Sequence, residues 1–286
     1  MTRLNTDFAP LTSGRLQLLS TMRFISLLAA AVLLVSCSGL PVPGPSAFVS
    51  SPTAAQAVLR AAASKHGDPW KRYRTVQVSY SGKWSLLATK LQPVLTDPGF
   101  RGSSVESYQP RLARVAQTHS GPAGTKSVVR QSQRVEVAFN GARSSDQETK
   151  DAAALVADAY AVFLFGPSWL TTHARDLQLL TDRDLSGESC QLVAGRLAPG
   201  IGRSTEDYFI AWVGKESGLM ERFQFTLNGL DSTRGADVDV TFSEFWKAGD
   251  GSIWPARFIE RIQRPVPVQA HDWHMTSLRL DGIRMK

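Results

Sequence analysis

The stretch that decides the fold is ETKDAAALVADAYAVFLF, residues 148–165. Gly166 and Pro167 follow it directly, and both residue types end helices, so the pattern predicts one helix from about Glu148 to Phe165. Its second half is apolar on nearly every side, which is typical of a buried helix. Two interpretations stay open, namely an ordinary core helix and a helix that lines or plugs an apolar cavity.

The sequence on both sides of this helix alternates between apolar and polar residues with a period of two, which is typical of strands. After the helix, residues 207–213 turn into residues 219–228, and residues 237–247 turn into residues 252–264, so we expect two hairpins. Further strands are predicted at residues 75–80, 127–139, 189–197 and 273–280. The tract 91–114 is expected to hold short strands.

A second, Ala-rich helix is predicted from Pro52 to Gly67, because proline suits the first turn of a helix and glycine its end. The order is therefore a helix, several antiparallel strands, a helix and a long run of hairpins. This order predicts an α+β fold with one large antiparallel sheet and few helices. A sheet of this size must curl or cover its apolar face.

The N-terminal part of the chain contains an apolar run, residues 24–35, directly after Arg23. The run is shorter than the roughly 20 residues that span a bilayer core, and it has the length of a secretory signal. Translation from Met1 and translation from Met22 both supply such a signal. The alternatives are an ordinary secretory signal and an N-terminal membrane helix.

The run ends in Leu34-Val35-Ser36-Cys37, which resembles the bacterial lipobox. The resemblance implies cleavage before Cys37 and acylation of this cysteine, and several acyl chains on one residue make a stable membrane anchor. Because Ser38 follows, it also implies export to the outer membrane, with the domain facing the periplasm. We expect a signal peptide at residues 1–36, a lipidated cysteine and flexible tether at residues 37–52, and one domain at residues 53–286.

Composition and cysteine usage exclude two classes of protein. The net charge of +7 is spread along the chain without a block of Lys and Arg, so we expect no nucleic-acid partner. If Cys37 is lipidated, Cys190 is left alone, which excludes a disulfide framework and predicts a small buried residue. If Cys37 is not lipidated, a disulfide between the two is conceivable.

Residues that could carry catalysis do not form a constellation. His271 and His274 lie three apart on a predicted strand and therefore face opposite sides, so we expect no metal site. Asp182, Asp184 and Glu188 are expected to lie in a solvated loop. The sequence thus predicts no catalytic residue, no cofactor and no enzymatic activity.

The remaining candidates are large apolar side chains on the buried helix and on the strands of the first hairpin. Such residues most often form a core, but in a half-open barrel they would line a cavity that binds an acyl chain. Side chains two apart on a strand share a face, so those of each strand point to one side. The candidate ligand-binding residues are Leu155, Tyr160, Phe163, Tyr208, Trp212, Phe223 and Phe225.

Three features together resemble the LolA/LolB superfamily of periplasmic lipoprotein carriers and its relative LppX. They are the lipobox at Cys37, the Ala-rich helix before the first strands, and the C-terminal hairpins, in which Gly249-Asp250-Gly251-Ser252-Ile253-Trp254-Pro255 is similar to a hairpin common in these folds. The resemblance implies an unclosed antiparallel β-barrel with helices as a lid over an apolar cavity. It also implies binding of acyl chains and their transfer between membranes.

The predicted function is therefore that of a monomeric outer-membrane lipoprotein that binds lipid or an acylated protein, with residues 155–165 as the lid. The alternative is a non-catalytic scaffold lipoprotein of an envelope complex, and an envelope hydrolase is a third class. A large apolar pocket would favour lipid binding. A filled core with an outer apolar patch would favour the scaffold.

Overall fold

The structure is a computed structural model of the chain, and it describes residue 40 and residues 52–263 and 267–286. The predicted signal peptide, the lipidation site Cys37 and most of the tether lie outside the described residues. The described residues form one compact unit. Every helix and strand given below lies between Pro52 and Arg284, so the chain that begins at Ser38 contains the whole described fold.

Both long helices are found where the sequence predicts them. The first begins at Pro52 and is followed by Gly67, whose φ of 87° is a backbone conformation that favours glycine. Four short helices were not predicted. The α-helices of the described residues are α1 (Pro52–Lys65), α2 (Pro69–Arg72), α3 (Leu86–Leu91), α4 (Pro93–Thr96), α5 (Gln147–Phe165) and α6 (Pro167–His173).

The predicted strands are present, and the structure adds others. The strands are β1 (Val76–Trp84), β2 (Ser103–Gln109), β3 (Arg114–Gly121), β4 (Gly124–Gln131), β5 (Arg134–Phe139), β6 (Ala142–Arg143), β7 (Ala174–Leu185), β8 (Glu188–Leu197), β9 (Asp207–Gly214), β10 (Met220–Thr226), β11 (Asp237–Ser243), β12 (Trp246–Lys247), β13 (Ile253–Trp254), β14 (Arg257–Ile262), β15 (Val268–Leu280) and β16 (Ile283–Arg284).

Two sequence predictions about loops and strands are corrected. The tract 91–114 holds one strand, β2, while its first part completes the helical segment α3–α4. Ser85 caps α3 by accepting the Ala88 N–H at 3.2 Å, and Pro93 starts α4, so local capping outweighs the weak strand pattern. Asp182 and Asp184 belong to strand β7 and Glu188 begins strand β8, rather than lying in a loop, because β7 pairs with β8.

One antiparallel sheet contains all strands except the separate pair β12–β13. Its order is β6-β5-β4-β3-β2-β1-β15-β14-β11-β10-β9-β8-β7, and β16 pairs with β15. The first strands run outward from β1 to the edge at β6. The chain then forms α5 and α6, resumes at the other edge with β7, and returns to the centre. Val76 of β1 lies opposite Leu280 of β15, so the first and last long strands join the two halves.

The sheet curls around α5. The ring of Phe165 lies 5.4 Å from that of Tyr108 on β2, and the ring of Phe163 lies 6.2 Å from that of Phe242 on β11. One helix therefore contacts strands far apart in the strand order. The edge strands β6 and β7 do not pair with each other. The predicted α+β class with an unclosed, curled antiparallel sheet is confirmed.

Helix α5 has well-defined ends. The carboxylate of its N-cap, Asp146, accepts the backbone N–H of Thr149 at 2.7 Å, and Gly166 ends the helix with φ 49°. Helix α6 then continues at an angle of 118°. Within the described ranges, no single helix has the length and apolarity to cross a membrane; only α5 and α6 counted together meet that test.

Candidate functional site

Helix α5 fills the space inside the curled sheet. Each of residues 152–165 is buried except Asp158. A helix that is apolar all round is stable only where neighbours cover every side, and here the sheet and the loop after β8 supply that cover. Gly202 in that loop permits the close approach, because a Cβ atom there would lie 2.7 Å from the Cα of Leu155.

An aromatic cluster surrounds Phe163 on the inner face of the sheet. Its ring lies 6.0 Å from that of Phe225 and 5.2 Å from that of Phe258, in tilted and edge-on geometries. Phe223 stacks on Phe225 with the ring centroids 5.3 Å apart. Such pairs add stabilisation beyond their buried area. The interior beside α5 is therefore filled rather than open.

The structure brings five of the seven predicted ligand-binding residues together in this interior: Leu155, Tyr160, Phe163, Phe223 and Phe225. Trp212 belongs to a separate apolar cluster with Cys190, on the opposite face of the sheet, and Tyr208 shares its face of β9. Contrary to expectation, these two residues do not line the interior. The inward residues of β9 are instead Phe209 and Ala211.

Beyond Phe258 the interior becomes polar, which the sequence did not predict. Arg101 is buried, with its guanidinium bonded to the Leu95 carbonyl and to the Tyr160 hydroxyl. The Tyr160 oxygen also lies 3.0 Å from Nδ1 of His271. The His271 ring stacks on Trp84 with the centroids 4.0 Å apart, and Arg101 lies over the same indole at 4.7 Å. We call these residues the Arg101 cluster.

Acidic and basic side chains around the Arg101 cluster have shifted pKa values. Burial raises the pKa of Glu260 to about 7 and raises that of Glu106, which accepts hydrogen bonds from Ser104 and Tyr108. Burial also lowers the pKa of His271 well below its ordinary value, so the ring is neutral at pH 7.

A buried ion pair flanks the same region. Nζ of Lys126 lies 2.6 Å from Oδ2 of Asp97, and both side chains are almost fully buried. The pKa of Lys126 is lowered, because burial outweighs the opposing effect of the Asp97 carboxylate. Removing one partner would leave an uncompensated charge in the interior.

Several buried polar atoms near Arg101 lack a hydrogen-bond partner among the described residues. They include Nε of Arg101, Nδ1 of His119, Nε2 of His271 and the indole nitrogens of Trp84 and Trp273. Buried polar atoms are nearly always paired, with protein, water or a ligand. Unmet donors concentrated in one place therefore indicate a region able to bind polar groups.

Strand β2 gives no clear sequence signal for the Arg101 cluster, because it carries polar residues on both faces. Val105 is 59% exposed, whereas Glu106 is fully buried. Ser104, Glu106 and Tyr108 share the inward face, as period two requires. Only the buried carboxyl of Glu106 distinguishes this face, and its burial is a property of the folded chain.

A polar latch joins α5 to both halves of the sheet. Arg130 of β4 binds Asp158 of α5 through Nε at 3.2 Å and Nη2 at 3.0 Å, and Nη2 also donates to the Gly202 carbonyl at 3.2 Å. Arg203 adds an exposed contact to Asp151 at 3.1 Å. We call these contacts the latch.

A metal site needs several acidic, histidine or cysteine side chains arranged around one point. Within the described residues, no group of three or more His, Cys, Asp and Glu side chains could hold a metal ion. His271 is buried inside, whereas His274 lies on the outer face near Asp272, so these two histidines face opposite sides as predicted.

No protein-family model and no curated protein matches this sequence. Solved structures do match. A LolA superfamily protein from Nitrosomonas europaea is 15% identical with a TM-score of 0.48, over 79% of this chain and 93% of that one. A DUF1329 family protein from Desulfovibrio piger is 12% identical with a TM-score of 0.47, over 82% and 94%.

The lipoprotein LppX of Mycobacterium tuberculosis also matches, at 16% identity and a TM-score of 0.29, over 63% of this chain and 91% of that one. The matched structures include a LolA superfamily protein and LppX, which are the two groups that the sequence resembles. Because the TM-scores lie below 0.5, the function proposed below is inferred from the geometry of this chain.

Proposed function

We propose that this chain is a lipoprotein of the bacterial envelope whose domain binds lipid, or the acyl chains of an acylated protein, in the space that α5 now fills. One observation carries the proposal. An apolar helix occupies the interior of a sheet whose edge strands do not pair with each other. If α5 moved out of the sheet, it would therefore leave an apolar cavity, and the backbone hydrogen bonds between the strands would stay intact.

The burial of the α5 side chains and the burial of an acyl chain in the same space contribute free energies of similar size. Full burial of a large apolar side chain stabilises by about 1.5–3 kcal/mol, so the seven large apolar side chains of α5 contribute on the order of 10–20 kcal/mol. An acyl chain of about 15 methylene groups contributes about 12 kcal/mol at about 0.8 kcal/mol for each. An acyl chain can therefore cover the inner face of the sheet in place of α5, while the displaced helix needs new cover for its own apolar side chains.

The ends of α5 suit such a displacement. Its first turn, around Glu148 and Lys150, is partly or fully exposed, and the bend at Gly166 offers a hinge towards α6. The latch through Asp158 and Asp151 uses polar contacts, which reform readily in water. We infer that α5 is the lid and that the latch holds it closed.

The ligand we infer is an amphiphile rather than a pure hydrocarbon, because the interior has an apolar and a polar part. The ring of Phe258 lies between them, 5.2 Å from that of Phe163 and 5.9 Å from that of His271. Acyl carbons would contact the aromatic cluster, and a polar end would contact the unmet donors near Arg101.

The lipobox-like sequence at Cys37 supports a proposal for anchoring and location. We propose that Cys37 is acylated, that the anchor lies in the outer membrane and that the monomeric domain faces the periplasm. Transfer of the bound lipid or acylated protein between membranes is the activity we infer for it, without a cofactor and without catalysis.

The test is native mass spectrometry of the chain that begins at Ser38, with acyl-chain uptake measured after removal of co-purified lipid. We expect one phospholipid or fatty acid per chain. A chain that carries no lipid and takes up none would contradict lipid binding.

A second candidate, the scaffold lipoprotein, is favoured by a specific observation. Leu86, Leu87 and Leu91 of α3 are 72%, 49% and 61% exposed, which forms an apolar patch on a filled domain. If this patch binds an envelope protein, the double variant Leu86→Ser/Leu91→Ser will lose co-purifying partners but keep lipid uptake. Leu112→Ser, at a leucine 57% exposed, is the matched control.

A further inference from the structure

A cleft of about 300 Å³ opens beside α5, near the latch. The start of β3 and the end of β4 line one side, and α6 with the loop 198–202 lines the other. This volume is at the lower end of the range for small-molecule sites, roughly 300–1,000 Å³. The cleft is open while α5 is in place.

One wall of the cleft is aromatic. The rings of Trp169 and His173 stack with their centroids 3.9 Å apart, and Trp70 meets both edge-on, at 6.5 Å and 5.5 Å. Val115 and Ile201 also line the cleft. Aromatic rings held by such contacts present a rigid apolar surface, which suits a short segment of acyl chain.

A buried arginine at the cleft has an unused donor. Arg130 is 7% exposed, and its Nε and Nη2 atoms bind Asp158 and the Gly202 carbonyl. Its Nη1 atom has no hydrogen-bond partner among the described residues. A buried guanidinium N–H without a hydrogen-bond partner raises the free energy of the folded state, and an acceptor on a ligand would remove this penalty.

The charge of the lining favours an anion. Arg114 and Arg175 line the cleft together with Arg130, whereas Asp158 is its one acidic lining residue and already pairs with Arg130. Burial lowers the pKa of His173, so this ring adds no charge at neutral pH. Guanidinium groups bind carboxylates and phosphates with paired hydrogen bonds.

We propose that this cleft is a second binding site, for a single-chain anionic amphiphile. Its carboxylate or phosphate accepts a hydrogen bond from Nη1 of Arg130, with Arg114 and Arg175 around it, and its acyl chain lies on the wall of Trp70 and Trp169. Binding to this cleft does not require displacement of α5. The proposal of a second site can therefore be tested independently of the function proposed above.

The experiment measures binding to the chain that begins at Ser38, by isothermal titration calorimetry and by tryptophan fluorescence. The probes are laurate, lysophosphatidate, inorganic phosphate and uncharged monolaurin. We expect laurate and lysophosphatidate to bind to the cleft and to shift the fluorescence, and phosphate and monolaurin to bind there at least about tenfold more weakly, because each lacks one half of the recognised group. Binding to the cleft is the part of the binding that the cleft variant below removes.

The variant Arg114→Gln/Arg175→Gln removes two charges at the cleft, and Arg134→Gln/Arg143→Gln removes two exposed charges elsewhere as the matched control. We expect the first pair to weaken laurate binding about tenfold or more and the control to change it less than about twofold. Arg130→Lys keeps the charge without the forked donor and should also weaken binding.

Four results would overturn the proposal. They are the absence of laurate and lysophosphatidate binding, monolaurin binding that the cleft variant weakens as much as laurate binding, phosphate that binds as tightly as lysophosphatidate, and equal losses in the cleft and control variants. The rim arginines are partly or fully exposed, so the double variant is expected to fold, and circular dichroism checks this.

Discussion

Replacing Glu260 by glutamine should stabilise the protein above neutral pH. Glu260 lies on β14 inside the polar part of the interior, where its side chain is 13% exposed and its Oε2 atom lies 4.0 Å from Nδ1 of His271. Burial raises its pKa from 4.5 to about 7, and the opposing effect of the Arg101 charge is smaller. The folded state therefore favours the protonated carboxyl.

The raised pKa of Glu260 determines the direction and the size of the change in the free energy of unfolding with pH. The stability that the protonated carboxyl contributes is complete below the unfolded pKa of 4.5 and is lost as the pH rises through 7. The loss amounts to about 1 kcal/mol near pH 5.5 and about 3 kcal/mol near pH 8. Glutamine stays neutral at every pH, so its advantage over the wild type should grow by about 2 kcal/mol between these two conditions.

Urea unfolding of both proteins at the two pH values measures this difference. Glu106, His119 and His271 titrate in both proteins, so their contributions cancel in the comparison. Glu136 is partly exposed on β5, and Glu136→Gln is a matched control that should show no such growth. An equal advantage of Glu260→Gln at both pH values would refute the buried, polar interior around Arg101.

Three further predictions concern the interior and the latch. Lys126→Met should cost about 3–5 kcal/mol of stability, because it leaves the Asp97 carboxylate buried and unpaired, and adding Asp97→Asn should recover much of this in the same urea titrations. Tyr160→Phe should cost about 1–3 kcal/mol, because Arg101 loses an acceptor; a cost below experimental error would contradict that contact. Arg203→Ala should change the free energy of unfolding by less than about 1 kcal/mol, since its ion pair is partly exposed, yet speed lipid uptake in stopped-flow fluorescence. Unchanged uptake would argue against the latch.

Local patterns were sufficient to predict much of the fold. The nearly all-round apolarity of residues 155–165 and the stop at Gly166 predicted α5 and its burial. The glycine-flanked turn between β9 and β10 predicted their hairpin. These features depend on residues close together in the chain, where period and capping chemistry act directly.

The polar interior and the latch depend on contacts between distant segments. Arg101 meets Tyr160 and His271 only after β1 pairs with β15 and α5 enters the sheet. The period of β9 showed that Tyr208 and Trp212 share a face, but periodicity does not state which face is inside. Only the packing of Phe209 against Phe223 settles that orientation.

The central claim is that bound acyl chains replace α5 in the interior. Hydrogen–deuterium exchange of the chain from Ser38, with and without a lipid whose one-to-one binding is verified by native mass spectrometry, tests it most directly. The account predicts that amides of residues 152–165 exchange much faster in the lipid-bound protein, while those of β9 and β10 stay protected. Unchanged protection of α5 with lipid bound would contradict it.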